Sequence, residues 1–532
     1  MVTCRLEPHD ANQLELRLGY EVQGAQGKEA YVAEIYLFLP MSLGVTRSTY
    51  TQTRFYEDTS AFVRLRTPRV ALTALGDAGQ PSPWFDRVRD ALGPVLAGRH
   101  VGSGTVVRGL KLLGCVYRGA LRTRAAALAG RFDGFLELDL EARVSRAEAL
   151  ASDLALFPAQ VAAALEQLRA MGHRCEQTAV PREISDAWRA VDELAAIVAE
   201  DALTSLVERV DAHADMPGAE ALVATRDPLA DAAVAQYHYR RGRGFESYIE
   251  PDMENEQFPY RRALLTRIVS SVLFLDVRHP ESGRVTTNLV GAIAASLAML
   301  FAVLCTIWAT QRFDVASAAF ILTAVGSYAV KDRIKEWGKR VLGRRAARFV
   351  PDRLIEICDK STGAVLGTCA ETVSIFDAHQ APAAVSELRH ADHPEKVAAE
   401  GRPETVIRYT KQMALMADAL GDALDDSRAV NDIVRFNLGH LRARMDAPYE
   451  AHRYVSPETG ELLTALCARV YHVNLVLRLT RGRGRSAATD WERMRVVLDQ
   501  RGIKRVEQVV RAQGGGVLRT VMPRSASVNA GG

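Results

Sequence analysis

His390 and His393, with Glu387 about one helical turn earlier, are the densest set of potential metal ligands in this 532-residue chain. Imidazole and carboxylate suit zinc or iron. The stretch is polar, runs into Pro394 and has no second ligand set, so a solvated helix end explains it more simply. Asp211–Ala212–His213–Ala214–Asp215, just before Pro217–Gly218, reads the same way. Arg240, Arg241 and Arg243, interleaved with Tyr237, Tyr239 and Phe245, carry charge for phosphate and rings for stacking on bases. Acidic residues follow at Glu246, Glu250, Asp252, Glu254 and Glu256, so helix capping and internal pairing compete with lipid phosphate and nucleic acid. Arg481, Arg483 and Arg485 read first as a basic loop between strands, with phosphate contact as the minor alternative. The chain has no G-x-x-x-x-G-K-[ST], H-E-x-x-H, G-x-S-x-G or EF-hand pattern. Catalytic residues therefore stay unassigned, no cofactor is implied, and the reading leans away from an enzyme.

The strongest signal concerns location. Asn288–Thr310 is apolar and free of charge, and Val315–Val330 follows after Gln311–Arg312–Phe313–Asp314. Runs of this kind read as membrane spans. At about 1.5 Å per residue the first reaches roughly 34 Å and the second roughly 24 Å, against a hydrocarbon core of about 30 Å. The spans are set at about 288–310 and 313–331, Phe313 and a snorkelling Lys331 lengthening the second. Small residues recur at four-residue spacing, Ala294, Ala298, Ala302 and Thr306 in one span and Ala319, Thr323 and Ser327 in the other. Such stripes permit close helix approach in lipid, although an alanine-rich chain also produces them by chance. No ionisable residue sits at mid-depth, which disfavours a pump or transporter.

The flank after the second span is strongly basic. Lys331, Arg333, Lys335, Trp337, Lys339 and Arg340 are the candidate contacts to anionic lipid headgroups. Basic flanks stay cytoplasmic, so both termini are expected there, with only the turn outside. The same charge has a plain topological explanation.

A formal net charge of +3 gives no overall basic excess, and nucleic acid is disfavoured as a partner. Seven cysteines, an odd number with no C-x-x-C pair, point to reduced thiols. The first residues lack a signal-peptide pattern, so the internal hairpin is expected to direct insertion. Abundant Ala and Arg suit a bacterium of high genomic GC content, which places the expected site in its inner membrane.

Around the hairpin the elements read as follows. Gln13–Val22 and Tyr31–Leu39 alternate or run apolar and suggest a β-hairpin within residues 1–45 that is free to join a later sheet. Residues 46–280 read as helical; Ser145–Arg146–Ala147–Glu148 fits a capping box, and Pro158 marks a kink or a new segment. Arg182–Ala212 is the clearest helix, its seam Ile184, Trp188, Val191, Ala195, Val198 and Ala202 facing a bundle or a dimer partner. Asp186, Arg189, Glu193, Glu200 and Glu208 are left for its wet side.

After the hairpin region, 285–345, residues 350–512 read as β-rich. Strands are expected at 353–360, 364–376, 405–412, 432–442, 469–479 and 493–498, forming a sandwich or partly open barrel. Residues 513–532 read as a disordered tail.

The fold class is thus an α+β integral membrane protein: a two-helix transmembrane hairpin between a mainly helical N-terminal region and a β-rich C-terminal domain. The preferred function is a membrane-anchored cytoplasmic scaffold or sensor, acting through the bilayer, anionic headgroups and a protein partner or homo-oligomer. The alternatives are a membrane-tethered enzyme acting on lipid headgroups or nucleotides, and an oligomeric channel or transporter subunit.

Overall fold

The structure is a computed structural model that describes residues 2–24, 27–77, 79, 82–98, 102–177, 180–279, 282–314, 317–346, 351–390, 403–424, 428–482, 487–510 and 517–521. The chain divides into a sheet unit, residues 1–65 with 275–532, and a helical unit, residues 66–274. The strands are β1 (Val2–Pro8), β2 (Gln13–Glu21), β3 (Lys28–Pro40), β4 (Thr59–Leu65), β5 (Asp276–Arg278), β6 (Arg353–Cys358), β7 (Val365–Asp377) and β8 (Glu404–Met416). They continue with β9 (Ala429–Asn437), β10 (Tyr449–Val455), β11 (Leu462–Ala468), β12 (Tyr471–Arg481), β13 (Ala488–Asp499), β14 (Gly502–Val510) and β15 (Val517–Val521).

A nine-stranded sheet runs β15-β14-β13-β12-β3-β8-β7-β6-β5, and a four-stranded sheet runs β1-β2-β9-β4. The sheets face one another as a sandwich: the Tyr20 and Tyr31 rings lie 5.1 Å apart, and those of Tyr409 and Phe436 6.4 Å apart. Leu14, Leu16, Leu18, Leu37, Ile407, Val434 and Leu475 are among the buried residues of these strands. The nine-stranded sheet carries a further cluster, Tyr36, Phe38, Val406 and Val476, which packs with Val385 and Leu388 of the short helix Ala383–His390.

Two N-terminal strands are present, but they do not form a hairpin with each other. β2 pairs with β1 and β9, whereas β3 pairs with β8 and β12. β4 and β5 also belong to the sheet unit, so the helical stretch begins at 66 and not at 46. The chain leaves the small sheet at Leu65 and returns at Leu275, whose N–H donates to the Val63 carbonyl at 3.0 Å. Val517–Val521, expected in a disordered tail, pairs with β14. The segment read as a strand to Arg442 ends at Asn437, and Gly439–Arg442 is a helical turn.

In the helical unit Arg182–Asp211 is encased. Its predicted seam is buried, as are Leu194, Ile197, Leu203 and Leu206, so the seam is filled from within the unit and not by a second copy. Glu193 is buried too, contrary to a wet-side position, because Arg261 pairs with it at 2.7 Å. Leu140–Cys175 starts earlier than Ser145, with Asp139 capping the Ala142 N–H at 2.8 Å. Pro158 lies inside this one helix, where Leu154, Phe157 and Val161 anchor it in the core. By length and composition this helix could cross a membrane, but its apolar side is covered within the unit.

Gly172 of that helix abuts the Trp188 indole, and a Cβ there would overlap the ring. Gly172→Ala is expected to destabilise the helical unit by about 1–3 kcal/mol through overpacking. Urea unfolding followed by tryptophan fluorescence checks this, and an unchanged midpoint would contradict the packing.

Glu15 on β2 is buried opposite Arg435 of β9, which donates to it at 2.7 Å while Arg17 contacts its other oxygen. Burial alone would raise its carboxyl pKa; the two guanidinium groups outweigh that and hold it below the usual 4.5. A lowered folded pKa contributes stability that is complete above the unfolded value and lost as pH falls through the folded one. Glu15→Gln should therefore flatten the decline in stability below about pH 4.5. An acid limb identical to that of the unsubstituted protein would contradict this.

Candidate functional site

The apolar segment forms two long helices, Ser282–Arg312 and Ala318–Ala346, packed as an antiparallel hairpin. Ala294, Ala298 and Ala309 are buried at the seam with 1–2 % exposure, so the alanines let the backbones approach. Thr306, read as part of this stripe, is exposed, and Cys305 is half-buried in its place. Ser317, just before the second helix, and Phe320, Thr323, Ser327 and Ile334 on it are among the half-buried positions, whereas Ala319 is exposed.

The large apolar side chains point outward. Leu297, Leu300, Leu304 and Trp308 on the first helix are 52–57 % exposed, and Leu322 and Val325 on the second 72 % and 64 %. Gly291–Arg312 is long and apolar enough to cross a membrane. The second helix starts at Ala318, later than expected, and charge begins at Lys331. Its apolar part, Ala318–Val330, reaches about 20 Å at about 1.5 Å per residue, short of a full span on its own.

The base of the hairpin is tied. β5, just before the first helix, pairs with β6, just after the second: Asp276 opposes Cys358 and Arg278 opposes Glu356. On the basic flank Arg333, Lys335 and Lys339 are exposed, and Trp337 is 71 % exposed. Lys331 is half-buried, its Nζ 4.0 Å from the centre of the Tyr328 ring on the same helix. Arg340 continues the helix, and its side chain lies outside the described residues.

A second exposed element was not anticipated. β10 and β11 form an isolated two-stranded ribbon. Tyr449, Val455, Leu462 and Leu466 stand 42–72 % exposed, with Val455 opposite Leu462 and Ala451 opposite Leu466 on one face. Two-stranded ribbons are marginal alone and exposed apolar patches mark contact sites. The turn Ser456–Pro457–Glu458–Thr459–Gly460, between Tyr454–Val455 and the apolar run Leu462–Ala468, is the sequence signal for it.

The arginine-rich segment splits up. Arg240 is buried; its guanidinium pairs with Glu200 and its Nε donates to the Ser247 carbonyl at 2.8 Å. Arg243 pairs with Glu176 and stands 3.8 Å from Asp192, whereas Arg241 is exposed. Asp192 also accepts from the Tyr239 hydroxyl at 2.6 Å, and burial pushes its carboxyl up despite Arg169. Tyr239 lies beneath the Arg169 guanidinium, 3.4 Å away. Two of the three arginines are thus occupied by carboxylates of their own unit.

His390 ends its helix with Nδ1 2.7 Å from the Ser386 carbonyl oxygen, and His393 lies outside the described residues. Among the described residues no group of three or more His, Cys, Asp or Glu could hold a metal. His213 packs on Phe132 and Phe135, and Asp211 pairs with Arg226. Arg481 reaches Gln23 and Glu29, and Arg483 and Arg485 lie outside the described residues. All seven cysteines are free; Cys358 opposes Val365 and Cys369 opposes Ile355, so these two are not facing partners. The helical unit has a cleft of about 480 Å³ lined by Asp77, Asp86, Arg89 and Arg174 among others, in which Arg89 pairs with Asp86 at 2.6 Å.

A third constellation lies between the two sheets. Lys411 of β8 places Nζ 2.8 and 2.7 Å from the two Asp432 oxygens of β9, and 3.3 Å from Glu371 Oε1 of β7. Tyr409 donates to the same Glu371 oxygen at 2.7 Å. All four residues are buried, none more than 2 % exposed. Comparison with protein-family models, curated proteins and solved structures finds no match for this chain.

Because Arg240 is buried against a carboxylate, Arg240→Met should cost on the order of 3 kcal/mol by stranding Glu200. Millimolar inorganic phosphate should leave the melting temperature of the unsubstituted protein unmoved. A stabilising shift with phosphate that disappears in Arg240→Met would instead assign these arginines to an anion.

Proposed function

We propose that the protein is an integral membrane scaffold or sensor: the hairpin 282–346 crosses the inner membrane of a bacterium out and back, and the rest works in the cytoplasm. The observation that carries this reading is the outward apolar surface of the hairpin, which has no other described element covering it. In lipid that surface is satisfied, and the seam of small residues supplies helix packing that the bilayer itself does not drive. The second helix reaches the far side by using Phe313 at the turn and Lys331 at the base, whose stem follows the apolar zone to the headgroups. Arg333, Lys335, Lys339 and Arg340 then lie where anionic headgroups are, with Trp337 at the interface.

The β5–β6 pairing supports two crossings over one, since both ends of the hairpin are held in one sheet. The exposed β10–β11 ribbon supports action through protein contacts, with a partner or another copy of the chain on Val455, Leu462 and Leu466. The cleft in the helical unit is the place for the competing enzymatic reading, since its volume suits a small ligand.

Fractionation tests the anchor. The full-length protein is expected in the membrane pellet and to be released by detergent but not by high salt. Replacing 282–346 by a short Gly-Ser turn between β5 and β6 is expected to move it to the supernatant still folded. Full-length protein in the supernatant would contradict the proposal.

A further inference from the structure

We propose that Lys411 and Asp432 condense to an intramolecular isopeptide bond, with Glu371 carrying the proton, so that one covalent amide joins the two sheets of the sandwich. The starting observation is placement. Lys411, Glu371 and Asp432 occupy inward positions of β8, β7 and β9, where their neighbours two residues away are Tyr409 and Met413, Cys369 and Val373, and Val430 and Val434. Each of those neighbours is buried, so three ionisable groups have been taken from water together. Glu371 and Lys411 are direct cross-strand partners, while Asp432 reaches in from the opposite sheet.

A buried ion pair carries a desolvation cost of several kcal/mol per ion, which its own attraction only partly offsets. Here two carboxylates face one ammonium, so the site keeps a formal negative charge if all are ionised. Condensation replaces the pair by a neutral amide and removes that cost. Reactants held this way also have an effective molarity of about 10⁵–10⁸ M in well-oriented cases. The buried Tyr20 hydroxyl adds a second observation: it feels the Asp432 charge and has no hydrogen-bond partner among the described residues.

The step balances without an oxidant or cofactor. Lys411 Nζ becomes a neutral amine by handing a proton to the Asp432 carboxylate it touches, and it then attacks Cγ of the Asp432 acid so formed. The new C–N bond forms, Glu371 accepts a proton from the nitrogen and returns it to the departing hydroxyl, and the Cγ–O bond breaks to release one water. Burial pushes the Asp432 carboxyl up, toward the acid form the step needs. Burial pulls the Lys411 ammonium down, but Asp432, Cys369 and Glu371 outweigh it and hold it above its usual range, so the amine is freed only by transfer within the cluster. Glu371 is the group placed to take the second proton, the one the nitrogen sheds after the C–N bond forms, 3.3 Å from Nζ and fixed by the Tyr409 hydroxyl.

The experiment is intact mass spectrometry of the denatured full-length protein, followed by peptide sequencing. The expected mass is one water below the sequence mass, with a branched peptide joining the Lys411 and Asp432 segments. The full sequence mass, or a water lost at any other position, overturns the proposal. Glu371→Gln is expected to keep both reacting residues and show the uncondensed mass; if it condenses as fully as the unsubstituted chain, Glu371 is not the proton carrier and that part falls. Asp432→Asn is expected to lose one ammonia in place of one water, and an unchanged mass in folded Asp432→Asn counts against the assigned electrophile. Should either variant fail to fold, the mass of the unsubstituted protein still decides.

Discussion

β3 is hydrogen-bonded along its whole length to β8 and over Tyr31–Phe38 to β12, so a strand from the first forty residues lies between two strands from beyond residue 400. β2 is held likewise by β9. Neither sheet of the sandwich can close until the C-terminal part of the chain has been made, and the sheet-forming segments at the two ends of the sequence must meet in one aqueous compartment. Between them the chain makes two excursions from this framework: the helical unit leaves at Leu65 and returns at Leu275, and the hairpin leaves after β5 and returns at β6. A polypeptide organised this way cannot cross a bilayer an odd number of times between its two ends. The weave of the sheets therefore puts both ends of the chain in one compartment, as an even number of crossings requires.

How readily each element could be read depended on whether local pattern or distant partner decided it. The helix Arg182–Asp211 was plain because its apolar spacing is helical and its neighbours are helices. Strands 6, 7, 8 and 12 were found near their true limits because alternation and the Ser361–Thr362–Gly363 turn, with Gly363 at φ 71°, mark them locally. The proposed N-terminal hairpin went astray because adjacency and a glycine-containing turn suggest pairing, yet pairing is fixed by strands four hundred residues away. A corrective sign was present: apart from Glu34, Tyr31–Leu39 is apolar on both faces, as a central strand covered on both sides should be.

The candidate sites show the same division. The apolar hairpin was visible as composition, but not that Ala319 would face outward or that the second helix would begin at Ala318; those depend on the turn geometry around Asp314, whose carbonyl accepts from Ser317. The arginine-rich segment looked like an anion site because the sequence does not display Glu176, Asp192 and Glu200, which lie far off in the chain and occupy it. Glu193 was misassigned to water for the same reason, its partner Arg261 being remote. Lys411, Glu371 and Asp432 were overlooked although each interrupts the apolar phase of a strand. A charge in that phase is the mark of a buried network whenever the strand is central.

The central claim is that the turn between the hairpin helices lies across the membrane from the sheet unit. The direct measurement is labelling of intact spheroplasts with a membrane-impermeant thiol reagent, comparing Gln311→Cys at the turn with the native exposed Cys467 on β11. The account predicts that Cys introduced at position 311 reacts from outside while Cys467 reacts only after lysis. Labelling of Cys467 in sealed spheroplasts, or protection of position 311 until lysis, would contradict it.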